Sequence, residues 1–165
     1  MTEGYEIYAE FIETLVDAES ARRTTLEQKA GAVITTSGTL VTLLFGLVAV
    51  LTAKQSFKLP SAAQGWLVGA AFLFAFAAVI ALLIGAPRPY GEADLTIDRL
   101  AGMWSDPISD ARAAVAGLRL QALETGRLRN TAKARMLITA TGIEVVAVIA
   151  LAIAVAIMLN SSLPT

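Results

Sequence analysis

The sequence predicts an all-α membrane protein, with three transmembrane helices and long amphipathic cytoplasmic helices. Two observations carry this. Residues 32–53, 62–86 and 136–159 form apolar blocks that hold a single formal charge between them, Glu144. Across all 165 residues 16% are charged and 56% hydrophobic, against about 25% charged in a soluble domain. At a rise of ~1.5 Å per residue each block reaches roughly 33–37 Å, enough to cross a hydrocarbon core of about 30 Å with some tilt.

Residues 1–31 read as a cytoplasmic amphipathic helix. Tyr5, Tyr8, Phe11, Ile12 and Leu15 recur at three- and four-residue spacing and form one apolar stripe. Glu3, Glu6, Glu10, Glu13, Asp17 and Glu19 surround it, and Arg22, Arg23 and Lys29 follow. Acids first and bases last suits the helix dipole. An acid-rich start is also the opposite of a basic signal-peptide leader. Nothing between Thr2 and Leu59 is proline, so this helix is expected to continue into the first span, with Gly31 as the one candidate bend.

Residues 54–61 make a short external loop, and 62–86 the second span. Pro87 and Pro89 end that span because proline cannot continue a helix. The cytoplasmic segment 87–135 opens with an amphipathic piece near 94–104, where Leu95, Ile97, Leu100, Met103 and Trp104 are available for packing or for the membrane surface. "SDPISD" then signals a helix start, with Ser105 or Asp106 as cap and Pro107 in the first turn. From there to Leu159 only Gly117, Gly126 and Gly142 oppose helix, so the third span, 136–159, is expected to end a rod on the order of 80 Å long. Residues 160–165 form the external tail.

Lysine and arginine set the orientation. Three bases precede the first span, eight lie between the second and third, and Lys54 and Lys58 occupy the short loop. The amino terminus and long loop are therefore placed in the cytoplasm and the carboxyl terminus outside. Arg127, Arg129, Lys133 and Arg135 are read as anchors at the lipid interface. Abundant alanine and a preference for arginine over lysine look like a GC-rich bacterial genome, and the expected location of the three spans is the cell (inner) membrane.

The composition excludes several classes of function. Cysteine and histidine are absent, which removes disulfides, thiol chemistry, the usual zinc sites and every triad built on imidazole. No metal site, cofactor or enzymatic constellation is expected. A net charge of −1 without a basic stripe speaks against a nucleic-acid partner.

Glu144 is the candidate site. Moving the third span outward to exclude it leaves 145–159, roughly 22 Å and too short. An acid at such depth is costly and usually faces protein or water. Thr139 and Thr141 lie near its depth, as do Thr35, Thr36, Ser37 and Thr39 of the first span. Gly38, Thr42 and Gly46 continue one face with Thr35, Thr39 and Ala49, a seam of small residues suited to close helix approach. Gly65 and Gly69 offer a second approach point in the second span. Two readings stand side by side: a proton-bearing carboxyl that holds helices in register, or a carboxylate that forms an acidic ring in an oligomer. The threonines have a plain role as well, bonding back to their own helix.

The stretch "LEQKAGAVITTSGTLVTLLFGL" resembles the transmembrane effector family of bacterial Pycsar anti-phage systems. Glu27, Lys29, Ala30 and Gly31 match an acid-x-Lys-Ala-Gly pattern, and Gly38 and Leu40 the small-residue segment after it. The resemblance implies an oligomeric effector that damages the membrane after a cyclic-nucleotide signal. No cyclic-nucleotide domain is recognisable in this chain, which leaves ligand and trigger open. The expected function is therefore a self-associating membrane effector or pore. One alternative is an accessory or scaffold protein that binds another protein through its cytoplasmic helices. A weaker one is an ion or proton carrier using Glu144. The lipid bilayer is the common partner of all three.

Overall fold

The computed structural model describes residues 2–53, 59–86 and 108–162. They form three helices: α1, Thr2–Ala53; α2, Ser61–Gly85; and α3, Ile108–Ser162. No strand occurs among the described residues. All three helices are long and apolar enough to cross a membrane. The amphipathic piece at 94–104, the caps at Ser105 and Asp106, and Lys54 and Lys58 lie outside the described residues.

α1 has 52 residues and α3 has 55. α1 passes through Gly31 as one helix, with no backbone break at the expected bend. Prolines mark both ends of α2. Pro60 is its N-cap, and its carbonyl accepts from the Gln64 amide at 3.0 Å. At the other end the Ala86 amide donates to the Leu82 carbonyl at 3.0 Å. Ala86 itself has φ −58° and ψ 127°, the extended geometry that a following proline imposes.

The chain divides into two compact units. One comprises Met1–Leu26 and Pro87–Lys133. In it α1 and α3 run side by side, and Leu123 is buried between them. The stripe read from the sequence is only partly covered there. Ile12 and Leu15 are half-buried, while Tyr8 and Phe11 are 70% and 59% exposed. The covered face instead runs through Ile12, Val16 and Glu19, towards the side where Arg119 and Asn130 of α3 meet α1.

The second unit comprises Glu27–Ala86 and Ala134–Thr165. Its three helices pack in two apolar layers. One gathers Leu44 of α1, Leu67 and Phe74 of α2, and Ala147 and Ala154 of α3. The other joins Ala30 and Val33 to Ala77, Ala81 and Ile84 of α2 and to Ala140 of α3. The contact lines are alanines. Ala63, Ala70, Ala77 and Ala81 of α2 and Ala140, Ala147 and Ala154 of α3 are all fully buried. A methyl at each contact lets backbones approach and gain dispersion contacts, which is what joins helices when lipid surrounds them.

The outer surface of this unit is apolar as well. Phe72, Ile138 and Leu43 are 73%, 73% and 63% exposed. No more than a third of any span's apolar window is buried by protein. Such a surface suits a lipid bilayer, since soluble monomers rarely expose large apolar patches.

Candidate intramembrane polar site

Glu144 lies between the two apolar layers, one turn beyond Ala140 and less than one before Ala147. Ser37 stands opposite on α1, between Val33 and Leu44. The Ser37 hydroxyl donates to Glu144 Oε1 at 3.2 Å. Ser37 is 1% exposed and Glu144 half-buried. This bond joins α1 to α3 in the middle of an otherwise apolar core. It satisfies a hydroxyl that has no water to turn to, and it ties one carboxylate oxygen.

The threonines at this depth do something else. Thr35 bonds to the Gly31 carbonyl at 3.0 Å, Thr39 to the Thr35 carbonyl at 2.9 Å, and Thr139 to the Arg135 carbonyl at 3.1 Å. Each bond closes within its own helix, and all three residues are exposed, as is Thr141. Of the polar residues at Glu144's depth, then, the structure brings Ser37 to it. The phase of α1 explains the choice. Ala30, Val33, Ser37 and Leu44 follow the three- and four-residue steps of the packed face, whereas Thr35 and Thr39 lie across the helix.

The small-residue seam is also on the far side. Gly38, Thr42 and Gly46 are exposed, and Thr42 bonds back to the Gly38 carbonyl at 2.9 Å. Gly65 is exposed and Gly69 half-buried. A Cβ added at any of these four glycines would meet nothing within 4 Å. Within the protomer the alanine lines, not these glycines, provide close approach.

A second polar contact lies in the other unit and carries no signal in the sequence beyond the spacing of Leu123, Gly126 and Asn130. Asn130 is 3% exposed. Its Nδ2 donates to Glu19 Oε1 at 2.8 Å and to the Glu19 carbonyl at 3.2 Å. A Cβ on Gly126 would lie 3.7 Å from the Glu19 side chain, so the glycine keeps the two helices close there. Arg119 pairs with Glu13 at 3.8 Å, linking the basic helix to the acidic one at an exposed position worth little by itself. Among the expected lipid anchors, Arg127, Arg129 and Arg135 are exposed and Lys133 half-buried. No group of three or more potential metal ligands occurs among the described residues. No protein-family model, curated relative or solved structure matches the chain.

Proposed function

We propose that this small multi-pass membrane protein acts by self-association, as an effector or pore of the bacterial-defence type. The observation that carries the reading is the outward-facing seam of α1. Gly38, Thr42 and Gly46 are exposed on the side of α1 away from its packed face, with open space around both glycines. Glycine inside a helix costs about 1 kcal/mol relative to alanine, and among the described residues nothing lies within 4 Å of where a Cβ on either glycine would stand. The seam of a second copy would use that space, because small residues allow two membrane helices to meet closely. The effector or pore character rests on the resemblance around Glu27, Lys29 and Gly38.

The test is a double substitution, Gly38→Leu with Gly46→Leu, followed by size in detergent and dye release from vesicles. Both sites are open in the protomer, so the fold is expected to persist. Association should weaken by about 1–3 kcal/mol, the usual cost of overpacking, and release should fall with it. A wild-type protein that stays monomeric at every concentration would overturn self-association. Unchanged size in the double variant would remove the seam from it.

A second reading, an accessory protein with a cytosolic partner, is favoured by Ile7, Tyr8 and Phe11, exposed by 68%, 70% and 59%. It predicts that Tyr8→Ser with Phe11→Ser abolishes activity while leaving self-association intact.

In the proposed orientation the amino terminus is in the cytoplasm of a bacterial cell and the carboxyl terminus outside. A reporter fused after Thr165 should be active only in its extracytoplasmic form; a cytoplasm-only reporter that works there reverses the topology.

A further inference from the structure

The membrane-spanning unit carries a groove between α1 and α2, in the half that holds the end of α1 and the start of α2. It has a volume of about 460 Å³, within the range of small-molecule sites, about 300–1,000 Å³. Leu44 and Leu67, both buried, form its floor. Phe45 of α1 and Phe72 of α2, 61% and 73% exposed, rise at its sides. The trough exists because Ala71 and Ala75 present only methyl groups beside Phe72.

Its length is set by the helix. From Gln64 to Ala75 the lining of α2 rises roughly 16 Å, close to one leaflet of a hydrocarbon core of about 30 Å. Chemistry differs along that length. Gln64 and Leu59 line it near the start of α2, while Ala71, Phe72 and Ala75 lead towards the middle of the helix. The Gln64 carboxamide is exposed and makes no hydrogen bond among the described residues. The groove thus opens on the outward apolar surface, and among the described residues Gln64 is the polar group that lines it.

We infer that this groove is a binding site for one acyl chain of a membrane phospholipid, with Gln64 placed to hydrogen-bond the ester region. The occupant is lipid because the groove is continuous with the outward apolar surface, and because its length and the position of Gln64 at one end match one leaflet. Apolar walls on both helices enclose a chain held there more fully than one lying against a single helix. The inference goes beyond self-association and does not depend on it.

The experiment uses the full chain purified in a mild detergent, with phospholipid per protomer measured by native mass spectrometry and by total phosphorus. Wild type is expected to retain one phospholipid per protomer. Ala71→Leu with Ala75→Leu fills the trough and should lose it. Ile149→Phe, at a lipid-facing position of α3 that is 54% exposed, should keep it. Equal lipid content in wild type and the filled variant overturns the site. So does a change of oligomeric size in place of lipid loss, which would make a second copy the occupant.

A second measurement stands if the filled variant fails to fold. Phe72→Trp is placed in a background with Trp66→Phe and Trp104→Phe, then titrated with chain-brominated phospholipid in vesicles. Half-maximal quenching should come at a lower fraction of brominated lipid than for Ile149→Trp in the same background. Identical curves would reduce the groove to ordinary lipid contact.

Discussion

Ala147→Leu is expected to destabilise the packed bundle by about 1–3 kcal/mol or more, the range for forcing extra methylenes into a close-packed interior. Ala147 is 0% exposed and belongs to the layer that joins Leu44, Phe74 and Met158. A leucine there adds three carbons to a position that is already fully buried, so α3 is expected to shift away from its neighbours. Ala77→Leu on α2 should behave alike, because Ala77 is equally buried among Ala30, Ala81 and Ala140. Ala152→Leu is the control: Ala152 is exposed on the same helix and should be within about 0.5 kcal/mol of wild type. Stability is read from steric trapping or from denaturation in mixed micelles. Equal stability of Ala147→Leu and Ala152→Leu would show that the alanine lines do not hold the helices together.

Glu144→Leu should loosen α1 from α3 by about 0.5–2 kcal/mol, the span found for polar contacts between membrane helices, whereas Glu144→Gln should not. The amide keeps an oxygen to accept from the Ser37 hydroxyl, and leucine has none. Ser37→Ala should cost a similar amount and add nothing on top of Glu144→Leu, since both remove one bond. Full additivity in that cycle would mean that the bond does not couple the two helices. The contact also fixes the register. A slide of one turn would set Glu144 against Val33 or Val41, neither of which carries a hydrogen-bond donor in its side chain. If assembled copies conduct, Glu144→Gln alters cation selectivity only where the carboxylate faces the path. Unchanged selectivity would confine it to the α1–α3 contact.

The spans were legible because an apolar run long enough for a bilayer needs no periodicity to be recognised. For α2 the far end was marked by Pro87 and Pro89, and the expected 62–86 differs from Ser61–Gly85 by one residue at each end. The packed face of α1 was not legible. In a helix apolar all round, inside and outside differ in shape rather than polarity, so Gly38 and Gly46 were as plausible an inner contact as Ala30 and Val33. The recurrence of Ala63, Ala70 and Ala77 at seven-residue intervals was the available clue. Depth alone brought Glu144 near several hydroxyls, and only the phase of α1 separates Ser37 from Thr35 and Thr39. The stripe of Tyr8, Phe11, Ile12 and Leu15 lies on a helix, yet only Ile12 and Leu15 of these are half-buried, and Val16 and Glu19, outside the stripe, join them.

The position of Ser37 bears on how the chain is made. Synthesis proceeds from the amino terminus, so α1 emerges well before the segment that contains Glu144. When the third apolar stretch leaves the ribosome, the hydroxyl that will receive its carboxyl has already been delivered. The most expensive side chain of the three spans is thus the last to be committed to lipid, and it enters beside a waiting partner. An order of helices that placed this acid first would leave it without Ser37 for the whole of the intervening translation.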